Sequence, residues 1–217
     1  MLTEELRHKL WKICRRTPFE SSIVIRPELN PAPINLVEYF PSSVKSLFLE
    51  LGSGWGEVVI ELAKRNPSTG YIAFEKKWNR LKQTEVEASK LGLENIALSG
   101  INFQWFLEDL FLYETFDTIL LNFPDPWPKK KHFKNRSIQI PFLELIYNLL
   151  KPGGKFLFAT DHGGYARWSI RKLREFEKLK WKDQEYSFER KDFPISEFEK
   201  EKRDEGKRIY YLDRFKA

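Results

Sequence analysis

Glu50-Leu51-Gly52-Ser53-Gly54-Trp55-Gly56 closes the apolar run Val44 to Leu51 and opens a helical stretch, the strand-to-helix turn on which the fold class rests. Glycine at every second position permits a tight turn and lets a ligand approach the backbone, although many strand-to-helix turns carry glycines for packing alone. The rest of the chain repeats the arrangement. Helical stretches run to Asn66, Leu91 and Leu150, and apolar strand-length runs stand at Tyr71 to Glu75, Ile96 to Leu98, Phe116 to Leu121 and Lys155 to Thr160. Such alternation predicts βαβ units, hence an α/β, Rossmann-like fold with a mostly parallel seven-stranded sheet and helices on both faces. The last two strands, Trp181 to Arg190 and Arg208 to Phe215, alternate like an antiparallel pair on either side of the highly charged Glu197 to Lys207.

Ahead of this pattern, residues 2 to 16 read as an amphipathic helix capped by Thr3, with Leu6, Leu10 and Ile13 or Cys14 on one face. Five prolines, Pro18, Pro27, Pro31, Pro33 and Pro41, make Thr17 to Pro41 an irregular lead-in. The expected organisation is a lead-in over residues 1–43, packed on one domain over 44–217.

Composition excludes several classes. With 217 residues, 41% hydrophobic, and 18 Phe, 8 Tyr and 7 Trp, the chain can bury a sizeable core and is not expected to be disordered. No segment approaches the roughly 18 uncharged apolar residues of a membrane span, and the N-terminus lacks a signal peptide's apolar stretch, so a cytoplasmic protein is expected. One cysteine, Cys14, and three scattered histidines allow no cysteine cage and no histidine pair, so no metal is expected. The formal net charge of +6 favours an anionic partner, and its distribution favours nucleic acid. Lys129, Lys130, Lys131, Lys134 and Arg136 cluster after one motif, and Arg167, Arg171, Lys172 and Arg174 fall on the helix after Asp161. Monomer is the default expectation, with a homodimer as the alternative.

Two acidic residues extend the glycine turn. Glu75 ends the next strand, 19 residues past Gly56, where a carboxylate can accept hydrogen bonds from both ribose hydroxyls of an adenosine cofactor. Dinucleotide enzymes and S-adenosylmethionine enzymes share that geometry. A GxGxG turn led by Glu50, in place of the GxGxxG that cradles a pyrophosphate, leans toward the second, since Glu50 can meet a positive amino acid end. Asn102, just past the third strand, stands where an adenine amino group could be bound, or is an ordinary turn asparagine.

Chemistry on the substrate is expected from Asn122-Phe123-Pro124-Asp125-Pro126-Trp127-Pro128-Lys129-Lys130-Lys131-His132, at the carboxyl end of a strand, where open α/β sheets place their ligands. Two prolines hold Asp125 rigidly, aromatics flank it and three lysines follow. Trp127 is a candidate for stacking on a base, whereas Phe123 reads equally as core. Asp161 reads also as the N-cap of the following helix, and His132 as an RNA contact rather than a base.

Together, ELGSGWG, the FE of Phe74-Glu75, NFPDPWPKKKH, LLKPGG, ATD ending at Asp161 and SEFE from Ser196 to Glu199 resemble the tRNA (guanine-N7)-methyltransferases, over about Val44 to Tyr211. The PDPWPK run is the most specific part. The resemblance implies a class I S-adenosylmethionine-dependent methyltransferase that forms 7-methylguanosine at guanine 46 of tRNA. By motif it places Glu50, Gly52, Gly54, Glu75 and Asn102 at the cofactor and Asp125 at the catalytic centre. Lys129, Asp161, Ser196, Glu197, Phe198 and Glu199 would contact the substrate nucleotide or its surroundings. Three positions depart from the family's pattern: Asn102-Phe103 replaces an Asp-Ala pair, Ser196 a threonine, and Glu201 a basic residue. The alternatives are methylation of an exocyclic amino group of another base and a non-catalytic RNA-binding homologue; a NAD-dependent dehydrogenase would leave Asp125 unexplained.

Overall fold

The apolar run before the glycine turn forms β1 (Ser46–Leu51), whose last four residues are buried. The computed structural model describes residues 3–14, 19–26 and 33–217, and the chain divides into two units, Met1–Leu112 and Tyr113–Ala217. In the first unit, β1 is followed by α2 (Glu57–Arg65), β2 (Thr69–Phe74), α3 (Trp78–Lys90), β3 (Ile96–Ser99) and α4 (Phe103–Leu110). β2 pairs in parallel with β1 on one side and β3 on the other, so Glu50, Ala73 and Leu98 lie in one row. Continuous burial on both faces explains their unbroken apolar runs. The loops at their carboxyl ends are consequently gathered at one end of the sheet.

Part of the lead-in covers the edge of this sheet. Ile25 donates its N–H to the Leu98 carbonyl at 2.7 Å, and Leu98 donates to the Ile23 carbonyl at 2.7 Å, a short parallel bridge along β3. α1 (Glu4–Cys14) has Thr3 at its start, the hydroxyl accepting from the Leu6 N–H at 3.3 Å as expected of a cap, and Leu10 is fully buried. The bounds expected at residues 2, 15 and 16, with Pro18, Pro27 and Pro31, lie outside the described residues, as do the side chains of Ile13 and Cys14.

In the second unit, β4 (Phe116–Asn122) pairs in parallel with β5 (Leu150–Thr160), and the crossover carries α5 (Ile140–Leu149). The register shifts near Phe116 to Thr118, opposite the Lys151-Pro152-Gly153-Gly154 turn, and then runs to Asn122 opposite Ala159. After α6 (Gly163–Glu175) come β6 (Leu179–Lys180), α7 (Glu197–Asp204), β7 (Tyr210–Tyr211) and β8 (Arg214–Lys216). β7 and β8 both run antiparallel to β5, and β6 antiparallel to β8.

The mostly parallel α/β class holds, with three short C-terminal strands where an antiparallel pair was expected. Trp181 to Arg190 forms no continuous strand; only Ser187 bridges to Tyr211. Its alternating aromatics, Tyr186 and Phe188, are 41% and 42% exposed, so no apolar face is buried to hold an extended ladder. Asn102 caps α4, whose Phe103, Phe106, Leu107 and Leu110 keep helical spacing, whereas the charged Glu197 to Lys207 stretch forms α7, a helix that apolar periodicity does not reveal. No helix among the described residues is long and apolar enough to cross a membrane.

Candidate functional site

At the carboxyl end of β1 the chain turns through Gly52 (φ +83°) and Gly54 (φ +61°), a left-handed backbone that side chains with a Cβ resist. The Gly52 and Ser53 N–H groups donate to the Phe74 carbonyl at 2.8 and 2.9 Å, fixing the turn to β2. A Cβ on Gly52 or Gly54 would meet nothing within 4 Å, so the space over the turn is open. Gly56 differs. A Cβ there would lie 2.4 Å from the buried Thr84 hydroxyl of α3, so this glycine serves packing.

Glu75 is buried beside the turn, accepting from the Gly54 N–H at 3.1 Å and the Lys77 N–H at 2.8 Å, with Arg80 at 4.0 Å. Its carboxylate is thereby oriented while each oxygen keeps acceptor capacity. Glu50 is 2% exposed, and among the described residues its Oε2 has no hydrogen-bond partner; neither has the buried Ser53 hydroxyl. Burial, reinforced by the Glu57 carboxylate, pushes the Glu50 carboxyl up to about 8. A carboxyl buried without a partner is expensive, and a bound ammonium group would satisfy it. The residues thus fit an adenosine cofactor with an amino acid end. Asn102 caps α4, its Oδ1 accepting from the Gln104 N–H at 3.1 Å, which is the turn-asparagine role weighed for it above. No cluster of three or more metal-ligating residues occurs among the described residues.

The second unit presents the proline-framed aspartate. Phe123 (φ +48°) and Trp127 (φ +42°) both adopt left-handed backbone, uncommon for bulky residues, two positions to either side of Asp125. Asp125 is exposed, and no hydrogen bond or ion pair engages it among the described residues. The strained turn is held from below by Arg136. This guanidinium is 3% exposed, donates to the Pro126 carbonyl at 2.9 Å and the Trp127 carbonyl at 3.4 Å, and lies over Phe133, Tyr165 and Trp168 at 3.8, 5.1 and 5.2 Å. Arg136 therefore does not belong to the exposed basic cluster in which the sequence placed it. Arg190 holds the other end, donating to Asn122 Oδ1 at 3.4 Å and the Phe158 carbonyl at 3.3 Å while paired with Asp213 at 2.5 Å. Arg136 reads in sequence as one more member of the lysine-rich cluster, and Arg190 does not stand out because its partners lie 23 to 68 residues away along the chain.

Phe123 packs on Ala159, Ile209 and Tyr211 and meets the Phe198 ring at 5.1 Å, which settles it as core. Trp127 stays half-buried with its ring edge-to-face on His132 at 5.6 Å. Ser196 caps α7, accepting from the Glu199 N–H at 3.2 Å. Glu199 is 3% exposed and bonded through Oε1 to Arg203 at 2.9 Å and to the Tyr211 hydroxyl, a network anchoring α7 to β7. Burial, first, and that carboxylate push the Tyr211 hydroxyl up to about 12, so it stays a donor. Glu197 is exposed, 4.0 Å from Lys200. Asp161 lies 3.7 Å from Lys207 and does not cap α6; His162 does, its Nδ1 accepting from the Tyr165 N–H at 3.1 Å. Phe123 thus touches Phe198 and Tyr211, Tyr211 is bonded to Glu199, and β5 ends at Thr160, one residue before Asp161. Lys129, Lys130, Lys131, Lys134, Arg167 and Arg171 are exposed without a carboxylate partner among the described residues, whereas Lys172 and Arg174 pair with Glu175 and Glu185.

A family model described as "Putative methyltransferase" matches residues 44–212. Proteins named tRNA (guanine-N(7)-)-methyltransferase from two serovars of Leptospira interrogans are 45% identical over 216 residues, covering 98% of this chain and 98% of each relative. The chain belongs to the tRNA (guanine-N7)-methyltransferase family. A further relative of that name, from Rhizobium etli, is 34% identical and covers 85% of this chain and 82% of its own. The fold of this family member is shared at low identity by solved methyltransferases. An antibiotic-related methyltransferase aligns at TM-score 0.58 and 17% identity, covering 80% of this chain and 88% of its own. The 16S rRNA methyltransferase KamB aligns at TM-score 0.58 and 15% identity, covering 81% and 90%.

Proposed function

We propose that this protein methylates N7 of guanine in tRNA, at guanine 46 of the variable loop, with S-adenosylmethionine as donor. The structural observation that carries the reading is Asp125: an exposed, unengaged carboxylate in a rigid turn, followed by exposed lysines that suit a polyanion. The names of the full-length relatives supply the reaction class. The donor supplies an activated methyl group on a sulfonium. Glu50, with its unpartnered Oε2, receives the donor's ammonium group, Glu75 the ribose hydroxyls, and the open turn at Gly52 and Gly54 the body of the molecule. For the adenine amino group, which is a donor, Asn102 offers the second lone pair of its Oδ1, the first being taken by the Gln104 N–H.

Guanine N7 carries an in-plane lone pair, so forming the N–C bond requires no base. The work of the protein is alignment, and roughly 7–11 kcal/mol of barrier can come from such positioning in well-oriented systems. Positive charge appears on the purine as the bond forms. Asp125 accepts a hydrogen bond from guanine N1–H or the exocyclic amino group and stabilises that charge. Glu199, being tied to Arg203 and Tyr211, acts by positioning α7 and with it Ser196, Glu197 and Phe198 around the base. Lys129, with Lys130 and Lys131, binds phosphate, and Asp161 orients Lys207 at the rim. The position assigned is tested with two transcripts, one carrying guanine 46 and one adenine there. Methyl incorporation is expected in the first and lost in the second, and equal incorporation would contradict the site.

A further inference from the structure

We propose that Tyr186, Phe188, Tyr210 and Arg208 form a stacking platform for an unpaired nucleotide of the tRNA, separate from the pocket that takes the target guanine. The inference rests on tRNA being the substrate.

The platform follows from strand alternation. Ser187 and Tyr211 exchange both backbone hydrogen bonds at 2.9 Å. Antiparallel pairing then sets Phe188 opposite Tyr210, and period two puts Tyr186, Phe188 and Tyr210 on one face while Tyr211 turns inward to Glu199. The rings touch: centroids are 5.4 Å apart for Tyr186–Phe188, 5.5 Å for Phe188–Tyr210 and 6.4 Å for Tyr186–Tyr210. Two of the three remain about two-fifths exposed, an arrangement that a chain covering its own apolar surface would not keep.

Charge selects the occupant. The Arg208 guanidinium lies over Phe188 at 4.7 Å, and no carboxylate pairs with it among the described residues. A stacked guanidinium keeps its N–H edges free for a phosphate while the rings offer faces to a base, the combination used for single-stranded nucleic acid. The platform also adjoins the substrate end of the sheet. Tyr210 pairs with Thr160, next to Asp161, and its hydroxyl stands against Gly163 beside the exposed Arg167.

The test compares wild type with Tyr186→Ala/Phe188→Ala and with Tyr186→Trp, measuring affinity for an unmodified tRNA transcript, affinity for S-adenosylmethionine and apparent mass. Stacking on one base predicts a roughly tenfold loss of tRNA affinity in the double alanine variant, with donor affinity unchanged and affinity retained by Tyr186→Trp. Unchanged tRNA affinity in a double variant whose wild type forms 7-methylguanosine would overturn the platform and leave the substrate reading standing. A wild type that binds no tRNA would overturn both. A shift from dimer to monomer in the double variant, without loss of tRNA affinity, would assign the face to a second copy of the chain instead.

Discussion

Glu50 and Asp125 are two carboxyl groups with opposite surroundings, and the contrast sets their behaviour. Between the ordinary carboxylate value, 4.5, and about 8, the unfolded chain has released the Glu50 proton while the folded, donor-free protein holds it. Stability of that form therefore falls as pH rises through the window, by at most about 1.4 kcal/mol per pH unit. Glu50→Gln removes the linkage: its melting temperature is expected to exceed wild type at pH 8, with S-adenosylmethionine affinity reduced in calorimetry. A variant less stable than wild type at pH 8 would refute the buried, unpartnered carboxyl. Asp125 is exposed, so Asp125→Ala should leave stability and donor affinity intact and lower kcat by on the order of 10²-fold. Arg136 acts through the turn it holds. Arg136→Met leaves two carbonyls unsatisfied, expected to cost about 1–3 kcal/mol in denaturant titration and to lower kcat more than it raises KM for the donor.

Among the elements, the glycine turn divides into two tasks that sequence spacing alone cannot separate. Gly56→Ala drives a Cβ against Thr84 at a φ of +85°, with an expected loss of about 2–3 kcal/mol in thermal unfolding. Gly54→Ala meets no protein atom, so it is expected to cost only about 1 kcal/mol through its backbone while weakening donor binding. The parallel core was legible because its strands are buried on both faces and read as unbroken apolar runs. α7 was hidden in a charged stretch because a single buried glutamate, Glu199, and a cap at Ser196 hold it, with no apolar stripe. Trp181 to Arg190 read as a strand because its alternation is real, yet its aromatics face outward and only Ser187 pairs. For the candidate site, local motifs point to the glycine turn, Glu50, Glu75 and Asp125. Arg190 depends on contacts between distant segments, whereas Arg136 and the Glu199–Arg203 pair have near partners whose significance lies in their burial, which no local pattern encodes.

At the scale of the molecule, the proposed function puts donor recognition in the first unit and base and phosphate recognition in the second. Lys129, Lys130, Lys131, Lys134, Arg167 and Arg171 are exposed cations without a carboxylate partner among the described residues. Affinity for tRNA should accordingly fall steeply with salt, and each of Lys130→Ala and Lys131→Ala should lower the slope of log affinity against log salt by about 1. Equal slopes in wild type and a Lys130→Ala/Lys131→Ala variant would remove these lysines from the phosphate contacts. The whole account turns on which atom receives the methyl group. Incubating the protein with labelled S-adenosylmethionine and unmodified tRNA, then digesting the RNA and identifying the labelled nucleoside by mass spectrometry, decides it. The expected product is 7-methylguanosine, and a base methylated on an exocyclic amino group, or no labelled nucleoside at all, would contradict the account.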